Sequence, residues 1–248
     1  MSDPNARSFS VSSDAYAAFR PEYPAEWMDW LAGLCGSHDL AWDCGCGNGQ
    51  ATRQLASRFA RVIATDVSAE QIAAATPQPG VEYRVASAEA ASLAPESLDL
   101  VIAAQAFHWF DAARFYASAA SALRPGGVLA IFGYGFLRIN PQVDGLLQRF
   151  LLTVIDPFWA PGNRLVINGY RDVVLPFPEI VAPPAAIMEH WSLDRLLAYC
   201  GTWSAVKRMQ QETGRHALDA ARPALSEAWG IGEQQVTMPL VARVCRKP

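Results

Sequence analysis

The nine residues "WDCGCGNGQ" at positions 42–50 join a short apolar run to a helical pattern, and their reading decides the fold. Two cysteines and three glycines in one short span admit four readings. They are a metal site, a redox pair, a phosphate-binding loop, or a loop shaped around another ligand. A zinc site usually wants a second close pair of ligands. Cys35, Cys200 and Cys245 lie far off, and His38, His108, His190 and His216 form no H-x-x-H spacing. A strand-borne Cys44 faces a core, where cysteine behaves as a small apolar residue. Cys46 is then an intermediate residue chosen for size. The cysteine number is odd and the N-terminal "MSDPNARSFSVSSD" has no apolar leader core, so reduced thiols and a cytoplasmic setting are expected.

Working outward, one pattern repeats. "LAWDC" (40–44), "RVIATD" (61–66), "VEYRVAS" (81–87), "LDLVIAAQ" (98–105) and "VLAIFGY" (128–134) read as strands. Between them "ATRQLASRFA", "SAEQIAAA" and "DAARFYASAASAL" carry helical spacing, with Ser68 and Asp111 as N-caps. Strands alternating with helices mean βαβ units, right-handed crossovers and a parallel sheet. The second half changes character. Residues 141–155, 192–212 and 216–230 are expected as helices, and 156–184 as irregular. "EQQVTMPLVARVCRK" (233–247) reads as a final strand near a sheet edge, because it contains Pro239. One domain is expected: a helical cap over 1–39, a ligand-binding core over 40–135, an insertion over 136–232, and the last strand.

Composition excludes several functions. Apolar residues make up 51%, charged residues 18%, and the net charge is −4 with no basic run, so neither nucleic acid nor an anionic membrane is invited. Runs such as "LDLVIAAQAF" are too short to span a bilayer.

A glycine-rich turn after the first strand places a ligand at the carboxyl end of the sheet. The dinucleotide fingerprint G-x-G-x-x-G fails, since Gln50 stands where its third glycine belongs, and no Gly-Lys-Ser/Thr follows for a P-loop. Asp43 precedes the first glycine by two residues. A carboxylate there repels a pyrophosphate and attracts a cationic ligand. Asp66 ends the second strand, where an acid accepts hydrogen bonds from ribose hydroxyls. Together they describe a nucleoside with a positive tail, which S-adenosylmethionine is.

"DCGCGNGQ", "ATDVSAEQ", "VASAEA", "LDLVIAAQAFHWFD" and "LRPGGVLAIF", in that order, resemble the class I S-adenosylmethionine-dependent methyltransferases. "YAAFRPEYP", "AQAFHWFD" and "GTWSAV" resemble the subgroup that includes trans-aconitate methyltransferase. The resemblance implies an α/β, Rossmann-like doubly wound sheet of about seven strands, the last antiparallel, with a helical insertion as a lid. It implies that Asp43, Gly45, Gly47 and Asn48 wrap the methionine part of the cofactor, and that Asp66 holds the ribose. Val67, Ala88 and Glu89 would meet the adenine, Gln105 would face the methionine or sulfonium, and Tyr16 and Arg20 would close over the site. Arg20 suits the cofactor's carboxylate.

The acceptor implied is a small molecule, with methylation of a carboxylate oxygen as the narrower expectation and a monomer or homodimer as the assembly. A cofactor-binding module without activity and an NAD-dependent oxidoreductase are the alternatives. His108 is the candidate base, because an imidazole near its ordinary value suits proton transfer at neutral pH. Trp109, Tyr134, Trp159, Trp191 and Trp203 are candidate pocket walls, since aromatic walls suit a small organic ligand. Arg138 and Arg164 are candidates for a substrate carboxylate, against the simpler reading that both are solvated.

Overall fold

The computed structural model describes residues 20–248. Tyr16 lies outside the described residues. Helix α1 (Ala25–Gly33) leads into β1 (Leu40–Cys44), α2 (Gln50–Ala56), β2 (Arg61–Asp66), α3 (Ala69–Ala74) and β3 (Val81–Val85). β4 (Leu98–Ala104), α4 (Ala112–Ala122) and β5 (Leu123–Tyr134) complete the parallel core. The caps read from sequence are formed. Ser68 accepts from the Gln71 amide and Asp111 from the Arg114 amide, each filling an orphan donor of the first turn.

The strand order is β3-β2-β1-β4-β5, followed by β8 (Gln234–Arg246) and β6 (Glu179–Ile180), while β7 (Ala186–Trp191) also pairs with β8. β1 pairs with β2 on one side and β4 on the other, both parallel. The chain therefore reverses its direction of growth across the sheet at β1, and a crevice opens beyond the carboxyl ends of β1 and β4. The core strands read as continuous apolar runs because both sheet faces are covered. Ala41, Leu100, Ile102, Val128 and Phe132 pack into one layer with α1 and α2 residues such as Leu31 and Leu55. Trp42, Val101, Ala103, Leu129 and Ile131 face the other, against Phe107 and Phe115.

The sheet holds eight strands where about seven were expected. The two strands not read from the sequence, β6 and β7, are short and antiparallel to β8. β8 lies one strand in from the sheet edge, near it as expected. β8 meets β5 along Leu240–Arg246 and β7 along Gln234–Pro239, so the proline stands where the strand changes partner. It needs no N–H there, and its carbonyl accepts from the Gly135 amide at 2.9 Å.

The helix expected over 192–212 is two: Leu193–Gly201 (α7 after α5, Pro141–Leu147, and α6, Asn163–Ile167) and Ser204–Thr213 (α8). Thr202 Oγ1 donates back to the Tyr199 carbonyl at 2.7 Å, and Trp203 is extended at φ −66, ψ 135. A hydroxyl competing for a backbone carbonyl favours such a break. The helix expected over 216–230 begins only at Arg222 (α9, Arg222–Trp229), with its proline in the first turn, where the missing N–H costs nothing. Among the described residues no helix is long and apolar enough to cross a membrane.

Candidate active site

The glycine loop is stitched to the end of β2. The Gly45 and Cys46 amides both donate to the Thr65 carbonyl, at 2.8 and 2.9 Å, and the Gly47 amide donates to Asp66 Oδ2 at 2.8 Å. Gly45 has φ +72, and a Cβ on it would lie 2.5 Å from Ala106 Cβ. Gly49 has φ +88, and a Cβ there would meet the Tyr83 hydroxyl at 2.5 Å. The third glycine, superfluous in a dinucleotide loop, is required here by a crowding phenol and a left-handed backbone.

The crevice contains two adjoining chambers. Asp43, Gly45, Gly47, Asn48 and Asp66 line the first, on the loop side. Val67, Ala88, Glu89 and Gln105 complete its predicted wall. His108, Trp159, Trp203 and Arg20 line the second, under the insertion. Trp109 and Tyr134 line both, as do Gln71 and Gln105. Arg20, expected beside a cofactor carboxylate, thus stands in the wall of the second chamber, donating from Nη1 to the Tyr134 hydroxyl at 2.8 Å.

Three of the candidates named from the sequence line neither chamber. Trp191 is fully buried, its indole donating to Glu189 and its ring covered by Arg195, so it packs the core and lines neither chamber. Arg164 forms a surface pair with Asp156 at 2.8 Å. Arg138 is exposed and bridges by its backbone to Thr237, so neither arginine reaches the chambers.

Asp43 is fully buried. Oδ2 accepts from Thr52 Oγ1 at 2.6 Å, while Oδ1 has no hydrogen-bond partner among the described residues. Burial pushes its carboxyl up to about 7, with the charge of Asp66 adding to the effect and Thr52 opposing it. Asp66 is also raised by burial, against the Ser68, Gly47 and Val67 amides that stabilise its charge. An orphaned buried carboxylate oxygen is costly unless something positive or hydrogen-donating completes it. Among the described residues no cluster of three or more His, Cys, Asp and Glu suits a metal ion.

Residues 42–131 match the methyltransferase domain family. A methyltransferase of Dictyostelium discoideum is 31% identical over 225 residues, covering 89% of this chain and 86% of that protein. The chain belongs to the class I S-adenosylmethionine-dependent methyltransferases. An uncharacterized methyltransferase of Mycobacterium tuberculosis is 31% identical over 93% of both chains. A solved structure from Anaeromyxobacter dehalogenans, described as a type II methyltransferase, superposes with a TM-score of 0.85 at 43% identity, covering 92% of this chain and 97% of that one.

In this methyltransferase His108 does not have the acidity that the sequence reading assumed. Burial, then the nearby Arg20 charge, lowers its imidazole to about 3. The ring is neutral at pH 7 and a feeble base. An unfolded chain takes up this proton near pH ~6.5. Stability is therefore present above that value and is lost as the pH falls from there towards about 3.

Sequence reasoning missed Tyr199 and Lys207 in the second chamber and Gln71 in both. The first two sit on α7 and α8, whose register towards the core only the broken helix reveals. Gln71 gave one usable signal, a polar residue at the inner face of α3.

Cys46 lines the first chamber, and the other four cysteines line neither. Burial pushes Cys35 up to about 12 and Cys245 to about 11, and holds Cys44 and Cys46 well above the ordinary thiol value. Native protein at pH 8 is expected to react sluggishly with a disulfide reagent at all five thiols, and completely once unfolded. Rapid stoichiometric labelling of one native thiol would refute this. Cys46→Ala is expected to keep S-adenosylhomocysteine affinity within about threefold, an ordinary margin for a small buried substitution.

Proposed function

We propose that this chain transfers a methyl group from S-adenosylmethionine to a small organic acceptor, at a carboxylate oxygen, in the manner of the trans-aconitate methyltransferase subgroup. The observation that carries the reading is a pair of chambers meeting at Gln105, with the orphaned Asp43 Oδ1 in one and an aromatic wall in the other. The cofactor supplies an electrophilic methyl carbon. Asp43 completes its unsatisfied oxygen against the ammonium group, and the Gly45, Gly47 and Asn48 backbone follows the methionine tail. Asp66 accepts from the ribose hydroxyls through lone pairs its loop bonds leave available. Val67, Ala88 and Glu89 border the adenine. Trp109, Tyr134 and Trp203 hold the acceptor and exclude water, which is most of the catalytic task in a displacement of this kind.

Two measurements test the reading. Titration with S-adenosylhomocysteine and with NADH is expected to give binding of the first alone, and the opposite result would overturn the cofactor assignment. Incubation with methyl-labelled cofactor and a panel of carboxylic acids, amines and phenols is expected to label carboxylates as esters. Label confined to amines would sink the carboxylate reading.

A further inference from the structure

Tyr170 belongs to the stretch expected as irregular, yet it is tightly constrained. Its side chain is fully buried and its backbone is left-handed at φ +56. A bulky residue holds that conformation only where its surroundings over-determine it. The Tyr170 amide donates to the Leu165 carbonyl at 2.7 Å, and its carbonyl accepts from Arg243 Nη1 at 3.0 Å. The ring stands edge-on to Phe107, centroids 6.2 Å apart. Its hydroxyl oxygen lies 3.4 Å from His108 Nδ1. His108 is fixed from its own backbone as well: its carbonyl rests against Gly162, where any Cβ would come within 2.0 Å.

That contact decides a proton position. A phenol O–H buried without an acceptor loses the full desolvation cost of the donor, about 1–3 kcal/mol. Donation to Nδ1 avoids this, whereas acceptance from an Nδ1–H would leave the hydroxyl hydrogen stranded. Burial raises the phenol's pKa above its ordinary value, so it stays O–H throughout the working range. A neutral imidazole that accepts at Nδ1 carries its hydrogen on Nε2.

We propose that Tyr170 is a positioning residue that holds His108 as the Nε2–H tautomer, so that His108 donates a hydrogen bond to an acceptor that arrives as a carboxylate anion. This rests on reading the second chamber as the acceptor site. The two nitrogen cations of that wall, Arg20 and Lys207, are donors only. An ionised carboxylate oxygen that attacks the methyl carbon forms a C–O bond while the C–S bond breaks, its electron pair staying on sulfur. No proton moves, so no residue of the chamber has to take one, and a neutral, donating His108 suits the step better than a base does.

The test is a long-range 15N–1H correlation spectrum of the imidazoles in the full chain, with His108→Gln identifying the resonance. The wild type is expected to show the Nε2–H pattern for His108, unchanged between about pH 5.5 and 8.5, the window in which an ordinary imidazole titrates. Tyr170→Phe is expected to convert it to a mixture of tautomers. An Nδ1–H pattern in the wild type, or a His108 that titrates in that window, would overturn the proposal, and neither outcome depends on the variant folding.

Calorimetry on protein saturated with S-adenosylhomocysteine then compares benzoate with benzamide. Benzoate is expected to bind at least about tenfold more tightly, equivalent to ~1.4 kcal/mol. Equal behaviour of the two, including no binding of either, would remove the carboxylate half. Failure of S-adenosylhomocysteine to bind at all would instead fall on the cofactor reading and leave the tautomer result standing.

Discussion

Replacing Gly45 with alanine is expected to weaken S-adenosylhomocysteine binding by about a hundredfold, close to 3 kcal/mol. Two independent costs combine. A side chain at φ +72 strains the backbone, by about 1–2 kcal/mol for an L-residue in the left-handed region. The new Cβ also falls 2.5 Å from Ala106 Cβ and 3.1 Å from the Phe110 ring, at the end of β4, where the neighbours are themselves packed. The loop must move away, and the amides of Gly45 and Cys46 then lose the Thr65 carbonyl that both share. The chamber changes shape where the ligand's tail lies. Ala106→Gly added to Gly45→Ala removes the closer collision but neither the Phe110 contact nor the dihedral strain, so it should recover part of the affinity. Wild-type affinity in Gly45→Ala, measured calorimetrically on protein whose circular dichroism is unaltered, would mean that the loop backbone is not the binding surface.

Asp43→Asn is expected to lose at least about tenfold in the same affinity at pH 8, ~1.4 kcal/mol, and to abolish its pH dependence. In the wild type the carboxyl titrates at about 7, so near neutrality the empty protein is divided between protonated and ionised forms. A ligand carrying an ammonium group favours the ionised form. Its affinity should therefore fall as the pH drops below 7, by up to about tenfold per unit once protonation is nearly complete. Binding at neutral pH should release a proton, visible as a buffer-dependent heat. Stability moves the other way. Because the folded value lies above the unfolded one, the carboxyl's contribution is full below about 3.8 and is lost as the pH rises through about 7. Asparagine has nothing to ionise, so the variant should resist denaturant better than the wild type above pH 7 while binding worse. A pH-independent wild type would disprove the coupling.

Much of this was legible in the chain, for definable reasons. Strands buried on both faces carry unmistakable apolar runs, and Ser68 and Asp111 announced helix starts through a local hydrogen bond. Asp43 was singled out from its place before the first glycine, but its burial and its orphaned oxygen depend on Thr52 and the sheet around it. The acidity of His108 could not be read from "FHWF", because it is set by burial under elements distant in the chain and then by the charge of Arg20. The break at Thr202–Trp203 turned on one hydroxyl preferring a carbonyl within its own helix. β7 escaped notice because "AIMEHW" gains its partner only from residues far downstream.

The placing of β8 also has a consequence for how the protein is made. β5, β6 and β7 all precede it and all pair with it. On a ribosome adding about 5–20 residues per second, roughly 100 residues separate Tyr134 from Gln234. For several seconds one flank of β5, whose 128–134 stretch is apolar and destined for burial, has no neighbour, and an unpaired strand edge invites pairing with another chain. Nascent chains stalled before residue 234 should accordingly be the ones that recruit chaperones or aggregate, and those released after residue 246 should not.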